Sequence, residues 1–298
     1  MGEDTPDTGT DTDASAHTEK KSKRKSKKTV NQDLEVNDRL DKSSDDPAVE
    51  AQISEGPVQD WIDDLQICLI FLTRIPVPGG LALSHPSLSN ACRFFPVIGS
   101  LIGVIGAIVL AAADQLGLPQ GVSVLLAVAA MVMVTGGLHE DGLSDTADGL
   151  GGGSNKDRRL EIMKDSRVGA FGVIALVLII GLKWAGLAAL SIGPAALALF
   201  AGAVISRGIL PLFMRYLPLA KDDGLSADAG RPGFSQVTLS LAITLVVAFI
   251  GLGFWLTIGV AIVVALVTGA MSFWVKVKIG WHTGDILGAL QQLGEISV

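Results

Sequence analysis

From about residue 94 onward the chain is dominated by long apolar runs: Phe94 to Ala113, Gly121 to Leu138, Ala170 to Leu190, Ala195 to Phe213, Val237 to Leu256 and Thr257 to Phe273. Each approaches the roughly 20 residues a helix needs to cross the hydrocarbon core of a bilayer. Backbone polar groups in lipid must be satisfied within the segment, which leaves helix as the only form for isolated runs of this length. Gly and Pro punctuate the runs at Gly117 to Pro119, at Gly193 and Pro194, and more weakly around Gly251 to Gly259. The expected fold is all-α, a polytopic transmembrane bundle of about six spans in three hairpins. Trp61 to Phe71 also has helical apolar spacing, but Asp60, Asp63 and Asp64 crowd its start. It reads as an interfacial or re-entrant helix ending at Pro76 and Pro78.

The segment before this body has a different character. From Met1 to about Gly56 there is no aromatic side chain and almost no aliphatic periodicity, so little apolar surface can offset the entropy of ordering. Residues 1–56 are expected to be a disordered polar tail and residues 57–298 a membrane-embedded catalytic domain. The basic run Lys20 to Lys28 suits either contact with anionic lipid or a solvated linker. No apolar stretch follows it closely, so no secretory signal peptide is expected. The net charge of -7 comes from acids in the tail and in tight clusters, and gives no case for nucleic-acid binding. Cys68 and Cys92 lack metal-like spacing and read as structural thiols.

Basic residues assign the sides. The links at Ala113 to Gly121, Ser191 to Pro194 and near Leu256 contain no Lys or Arg. The long loop from His139 to Gly169 holds Lys156, Arg158, Arg159, Lys164 and Arg167, the next holds Arg215, Lys221 and Arg231, and the C-terminal segment adds Lys276 and Lys278. With an even number of spans these fall on one side, which the positive-inside rule makes cytoplasmic, together with the N-terminus. Two cations, Lys183 and Arg207, stay within or near spans and are candidates for a pathway or a ligand contact. Lys183 also suits a simple interfacial position, and Arg207 lies deeper beside Ser206.

Gly136 to Gly153, GGLHEDGLSDTADGLGGG, is the most informative stretch. Asp141, Asp145 and Asp148 are spaced i, i+4 and i+7, which stacks three carboxylates on one helix face. Like charges so placed repel, and a hard divalent cation compensates them well. Magnesium in particular takes one or two carboxylates, several waters and substrate phosphate oxygens. The plain alternative is a solvated acidic loop with Asp141 or Asp145 as a helix N-cap. Glu140 lies off the acidic face, and His139 suits a base, a ligand or a hydrogen-bond partner. Downstream, Glu161, Lys164, Asp165 and Arg167 precede the third span. Cations there could clamp a phosphate or pyrophosphate, or anchor the helix at the membrane surface. Gly169 and Gly172 would let backbone approach a large ligand. HTGDILGALQQLGE near the C-terminus places Asp285 and Glu295 on the same side.

Taken in order, FLTRIPVP (Phe71 to Pro78), RFFPVIG (Arg93 to Gly99), GGLHEDGLSDTADG (Gly136 to Gly149), LEIMKDSRVGAFG (Leu160 to Gly172) and GDILGA (Gly284 to Ala289) resemble the adenosylcobinamide-GDP ribazoletransferase family, also called cobalamin synthase. The resemblance covers nearly everything after about residue 60; Glu140, where an apolar residue is expected, and the polar tail depart from it. It implies a magnesium-dependent membrane transferase, working at the cell membrane, that joins adenosylcobinamide-GDP to alpha-ribazole or its 5'-phosphate and releases GMP. On that reading Asp141, Asp145 and Asp148 hold Mg2+, and Lys164 and Arg167 hold phosphate oxygens. Asp165 completes the metal site or accepts the hydroxyl proton, and His139, Arg207 and Asp285 contact substrate. Homo-oligomerisation is left open. Other readings of an acidic helix end are a CDP-alcohol phosphatidyltransferase or a prenyltransferase, whose aspartate spacings fit less well. A transporter would want its site near the bilayer midplane.

Overall fold

The computed structural model describes residues 57–77, 87–219, 229–280 and 282–298. The chain forms two compact units, residues 1–60 and 61–298; of the first, only the opening turn of a helix is described. The tail at 1–56, its Lys20 to Lys28 run, Pro78 and Lys221 lie outside the described residues. Among the described residues every regular element is helical. In chain order they are α1 (Pro57–Leu72), α2 (Phe95–Gln115), α3 (Gln120–Thr135), α4 (Leu138–Gly152), α5 (Lys156–Ile162), α6 (Ala170–Ala188), α7 (Ile192–Gly208), α8 (Leu210–Tyr216), α9 (Phe234–Lys278) and α10 (Gly284–Ile296). Short turns at Leu88–Ala91 and Cys92–Phe94 lead into α2.

Four stretches are long and apolar enough to cross a membrane: Leu88–Gln115, Ala170–Ala188, Ile192–Tyr216 and Phe234–Lys278. The pair α3 and α4 makes a fifth if it is taken as one broken span. The last stretch covers two of the expected spans. As one rod its 45 residues would reach about 67 Å, more than twice the hydrocarbon thickness. Gly253, at φ 74° and ψ 176°, leaves helical space and breaks it. The side chains facing outward are apolar, Ile108, Met133, Val177, Ile250 and Trp255 among them. An exterior of that kind suits lipid, where water would penalise it. The two ends of the bundle differ. At the short-link end the Trp184 indole donates to the Gly121 carbonyl at 2.8 Å, tying α6 to the start of α3. At the other, which carries α4, Arg159 donates to the Lys278 carbonyl at 3.0 Å.

Packing between α2 and α7 depends on small residues at helical spacing. A Cβ on Gly99 would lie 2.5 Å from the Ala203 carbonyl oxygen, and one on Gly103 would lie 2.7 Å from Phe200 Cα. Backbone sits against backbone, as in small-xxx-small contacts between membrane helices. No side-chain rotation can relieve an added methyl there. Gly99→Ala is therefore expected to cost about 1–3 kcal/mol, seen as a lower unfolding temperature in detergent; an unchanged temperature would mean the helices separate freely.

At the start of α2, Arg93 binds Asp64 of α1 at 2.5 Å and stacks over the Trp61 ring. Cys68 donates to the Ala91 carbonyl at 2.9 Å, and both cysteines are free and buried, in keeping with structural thiols. α1 is not among the helices long and apolar enough to span.

The C-terminal helix corrects one expectation. Glu295 does not stay at the end of the bundle with Asp285. α10 buries Ile286, Leu290, Gln291 and Gln292 as it runs inward, and Glu295 meets Lys183 of α6 and Arg207 of α7, each at 2.9 Å. The helix has small residues where it crosses its neighbours, and its polar face is matched by the two cations that the spans alone would leave unpaired.

Candidate active site

Gly136 and Gly137 both adopt left-handed backbone, φ 66° and 71°, a conformation that side chains with a Cβ resist. The two residues end α3 and turn α4 away from it by 89°, so the acidic segment lies across the end of the bundle. Within the stretch expected as a long loop the segment is helical, the condition under which the three aspartates share a face, and that face is graded: Asp141 is exposed, Asp145 half-buried and Asp148 buried. Asp148 accepts hydrogen bonds from the Gly169 and Gly172 amides at 2.7 and 2.9 Å. It thereby serves the open amides at the start of α6, where an anion is favoured. The close approach at Gly169 and Gly172 is thus to Asp148. Asp145 feels the negative charges of Asp141, Asp285 and Asp148.

α4 and α10 cross where two glycines meet. A Cβ on Gly142 would lie 2.8 Å from the Asp285 carbonyl oxygen, and one on Gly288 would lie 3.2 Å from Gly142 Cα. This contact brings Asp285 to the acidic helix. Thr283 caps α10, accepting from the Ile286 amide, and donates to the Asp285 carboxylate at 3.2 Å. Burial raises the pKa of Asp285, against the Thr283 hydrogen bond and with the Asp141 charge.

Beside the crossing is a cavity of about 170 Å³ whose walls include Phe71, Phe95, Leu138, Leu210 and Met214, with His139, Asp141, His282 and Asp285 as its polar groups. His139 is buried and its Nδ1 has no hydrogen-bond partner among the described residues. His282, which sequence reasoning passed over, is bonded through Nδ1 to the Pro218 carbonyl at 2.9 Å. Burial lowers its pKa, with the Pro218 and Leu217 carbonyls acting the other way. The only sequence signal for it is its place just before the Thr283 cap.

The predicted residues therefore separate. His139, Asp141 and Asp285 share the cavity, and Asp145 and Asp148 continue the acidic face behind Asp141. Asp165 and Arg167 form an exposed pair at 2.6 Å, with Arg167 side-chain exposure of 86%. Arg167 hydrogen bonds hold Asp165 down to a pKa of about 2. Lys164 is exposed on the same loop. Arg207 is away from the cavity, committed to Glu295.

No group of three or more His, Cys, Asp or Glu side chains among the described residues is arranged as an ion cage. A magnesium ion does not need one, since substrate phosphate and water supply most of its ligands. The oxygen-only donors of the acidic face and the repulsion focused on Asp145 fit a hard cation.

The profile of the cobalamin-5-phosphate synthase family matches residues 64–298. Among curated relatives, the adenosylcobinamide-GDP ribazoletransferase of Bradyrhizobium diazoefficiens is 41% identical over 81% of this chain and 93% of its own. That of Mesorhizobium japonicum is 44% identical over 80% and 91%, and that of Azorhizobium caulinodans 45% over 78% and 92%. No solved structure matches.

Proposed function

The chain belongs to the cobalamin-5-phosphate synthase family, and on that premise we propose that it is an adenosylcobinamide-GDP ribazoletransferase. It joins adenosylcobinamide-GDP to alpha-ribazole, or to its 5'-phosphate, and releases GMP. The observation that carries the reading is that the family match runs through every residue around the cavity, from Phe71 to Gly288.

In this reading a hydroxyl of the acceptor ribose attacks the phosphorus on the corrinoid side of the pyrophosphate. Asp141 and Asp145 hold magnesium, with Asp148 behind them fixing the acidic helix against α6. Bound magnesium would supply charge neutralisation on the pyrophosphate oxygens. Lys164 and Arg167 approach the phosphates from the loop before α6, and Asp285 faces the acceptor. Asp165, held ionised by Arg167, is a poor proton acceptor. The distribution of Lys and Arg supports placing the acidic end in the cytoplasm, with the bundle in the cell membrane.

The test is GMP release from adenosylcobinamide-GDP by purified, detergent-solubilised protein. Release is expected to require both alpha-ribazole and magnesium, and to stop with chelator. Release of CMP or inorganic diphosphate from other donors, with none of GMP, would favour a CDP-alcohol transferase or a prenyltransferase instead. GMP release that persists in chelator would remove the metal from the reading.

A further inference from the structure

The reaction needs a group to take the proton of the attacking hydroxyl, and the cavity contains one that fits. A carbonyl can only accept, so the bond to Pro218 places the hydrogen of His282 on Nδ1 and leaves the lone pair on Nε2. The same loop carbonyl also accepts from the His282 backbone amide at 3.0 Å, so ring and backbone are fixed together. The side chain is buried, at 3% exposure, yet it lines the cavity shared with Asp141 and Asp285. The cavity is also the right size for one part of one substrate. An apolar cavity of about 150 Å³ holds a benzene, so about 170 Å³ suits the azole ring of the acceptor better than a corrinoid.

Resting on the proposed transferase reading, we propose that His282 is the general base of the reaction, its Nε2 taking the proton from the acceptor hydroxyl. The hydroxyl oxygen bonds to phosphorus as its proton passes to Nε2. The bond from that phosphorus to the bridging oxygen breaks, its electron pair leaves on GMP, and the imidazolium returns its proton to solvent. The titratable groups that share a cavity with His282 are His139 and Asp141 of α4 and Asp285 of α10 in the first, and Tyr216 of α8 and Lys276 of α9 in a second cavity that His282 also lines. Burial is the largest influence on the ring and keeps it neutral below the usual imidazole range, so the acid limb of the wild-type profile should lie below about pH 6.5.

His282→Asn and His282→Gln separate a base from a tether. The Asn amide can still donate to Pro218 from near the Nδ1 position, while Gln gives up that bond; neither is basic. GMP release by the full-length protein is measured from pH 5 to 9 at varied alpha-ribazole. Both variants are expected to lose about 100-fold or more in kcat, with KM for alpha-ribazole little changed in the Asn variant and the acid limb gone. Near-normal kcat in His282→Asn with loss in His282→Gln would overturn the proposal in favour of a tether. Wild-type protein that releases no GMP would overturn the transferase reading, and this proposal with it.

Discussion

Asn in place of Asp145 is expected to reduce GMP release by about 100-fold or more while leaving the protein inserted and no less stable than the wild type. The two halves of that result have one cause. Asp145 is half-buried and faces the charges of Asp141, Asp285 and Asp148, so in the absence of a cation its ionised form works against the fold. An amide of the same shape removes the repulsion and with it the field that attracts magnesium and the substrate pyrophosphate. Function is kept here at a cost in stability, the usual trade at a charged site. Turnover and unfolding temperature in detergent are measured on the same preparation. Near-normal turnover would sink the metal assignment, whereas lost turnover together with a large drop in unfolding temperature would make Asp145 a structural residue. Asp148→Asn provides the contrast, because Asp148 accepts from two amides of α6 and should lose stability as well as activity.

The acidic helix could be read from sequence because its signal is local: three aspartates at i, i+4 and i+7 share a face wherever the helix lies. Its direction could not. The bend depends on the left-handed backbone of Gly136 and Gly137, and glycine pairs occur in loops as readily as in corners. The cavity was hidden for another reason. Asp285 reaches Asp141 through the crossing of Gly142 and Gly288, which a sequence expresses only as two small residues in separate motifs. Asp165 and Arg167 are the opposite case, since they pair with each other within the loop, two residues apart, and their contact needs no distant element. Glu140, out of place by family pattern, accepts from Gln292 of α10 at 2.9 Å. An acid at that position is explained by a partner about 150 residues away.

That partner belongs to the network on which the second prediction rests. Replacing Glu295 by Ala is expected to cost about 3–5 kcal/mol, because the carboxylate serves two cations at once. Lys183 and Arg207 both bond to it at 2.9 Å, with side-chain exposures of 8% and 3%. Gln291 also donates to Glu295, and Lys183 donates to Gln292 at 2.7 Å. Without Glu295, two buried positive charges lose the carboxylate that both bond directly, and the next one, Glu140, is reached only through Gln292, so the loss is larger than the net worth of either pair. Lys183→Met should cost less, since it leaves Arg207 and Glu295 matched. Adding Lys183→Met to Glu295→Ala should recover part of the loss by removing one orphaned charge. Unfolding temperature in detergent and the yield of folded protein report the series. Equal losses for Lys183→Met and Glu295→Ala, or no recovery in the double variant, would show that packing rather than charge holds α10 inside the bundle. The activity of the same variants should fall with the folded fraction alone, because the network lies behind the site; it fixes the helix on which Asp285 is carried and touches neither substrate.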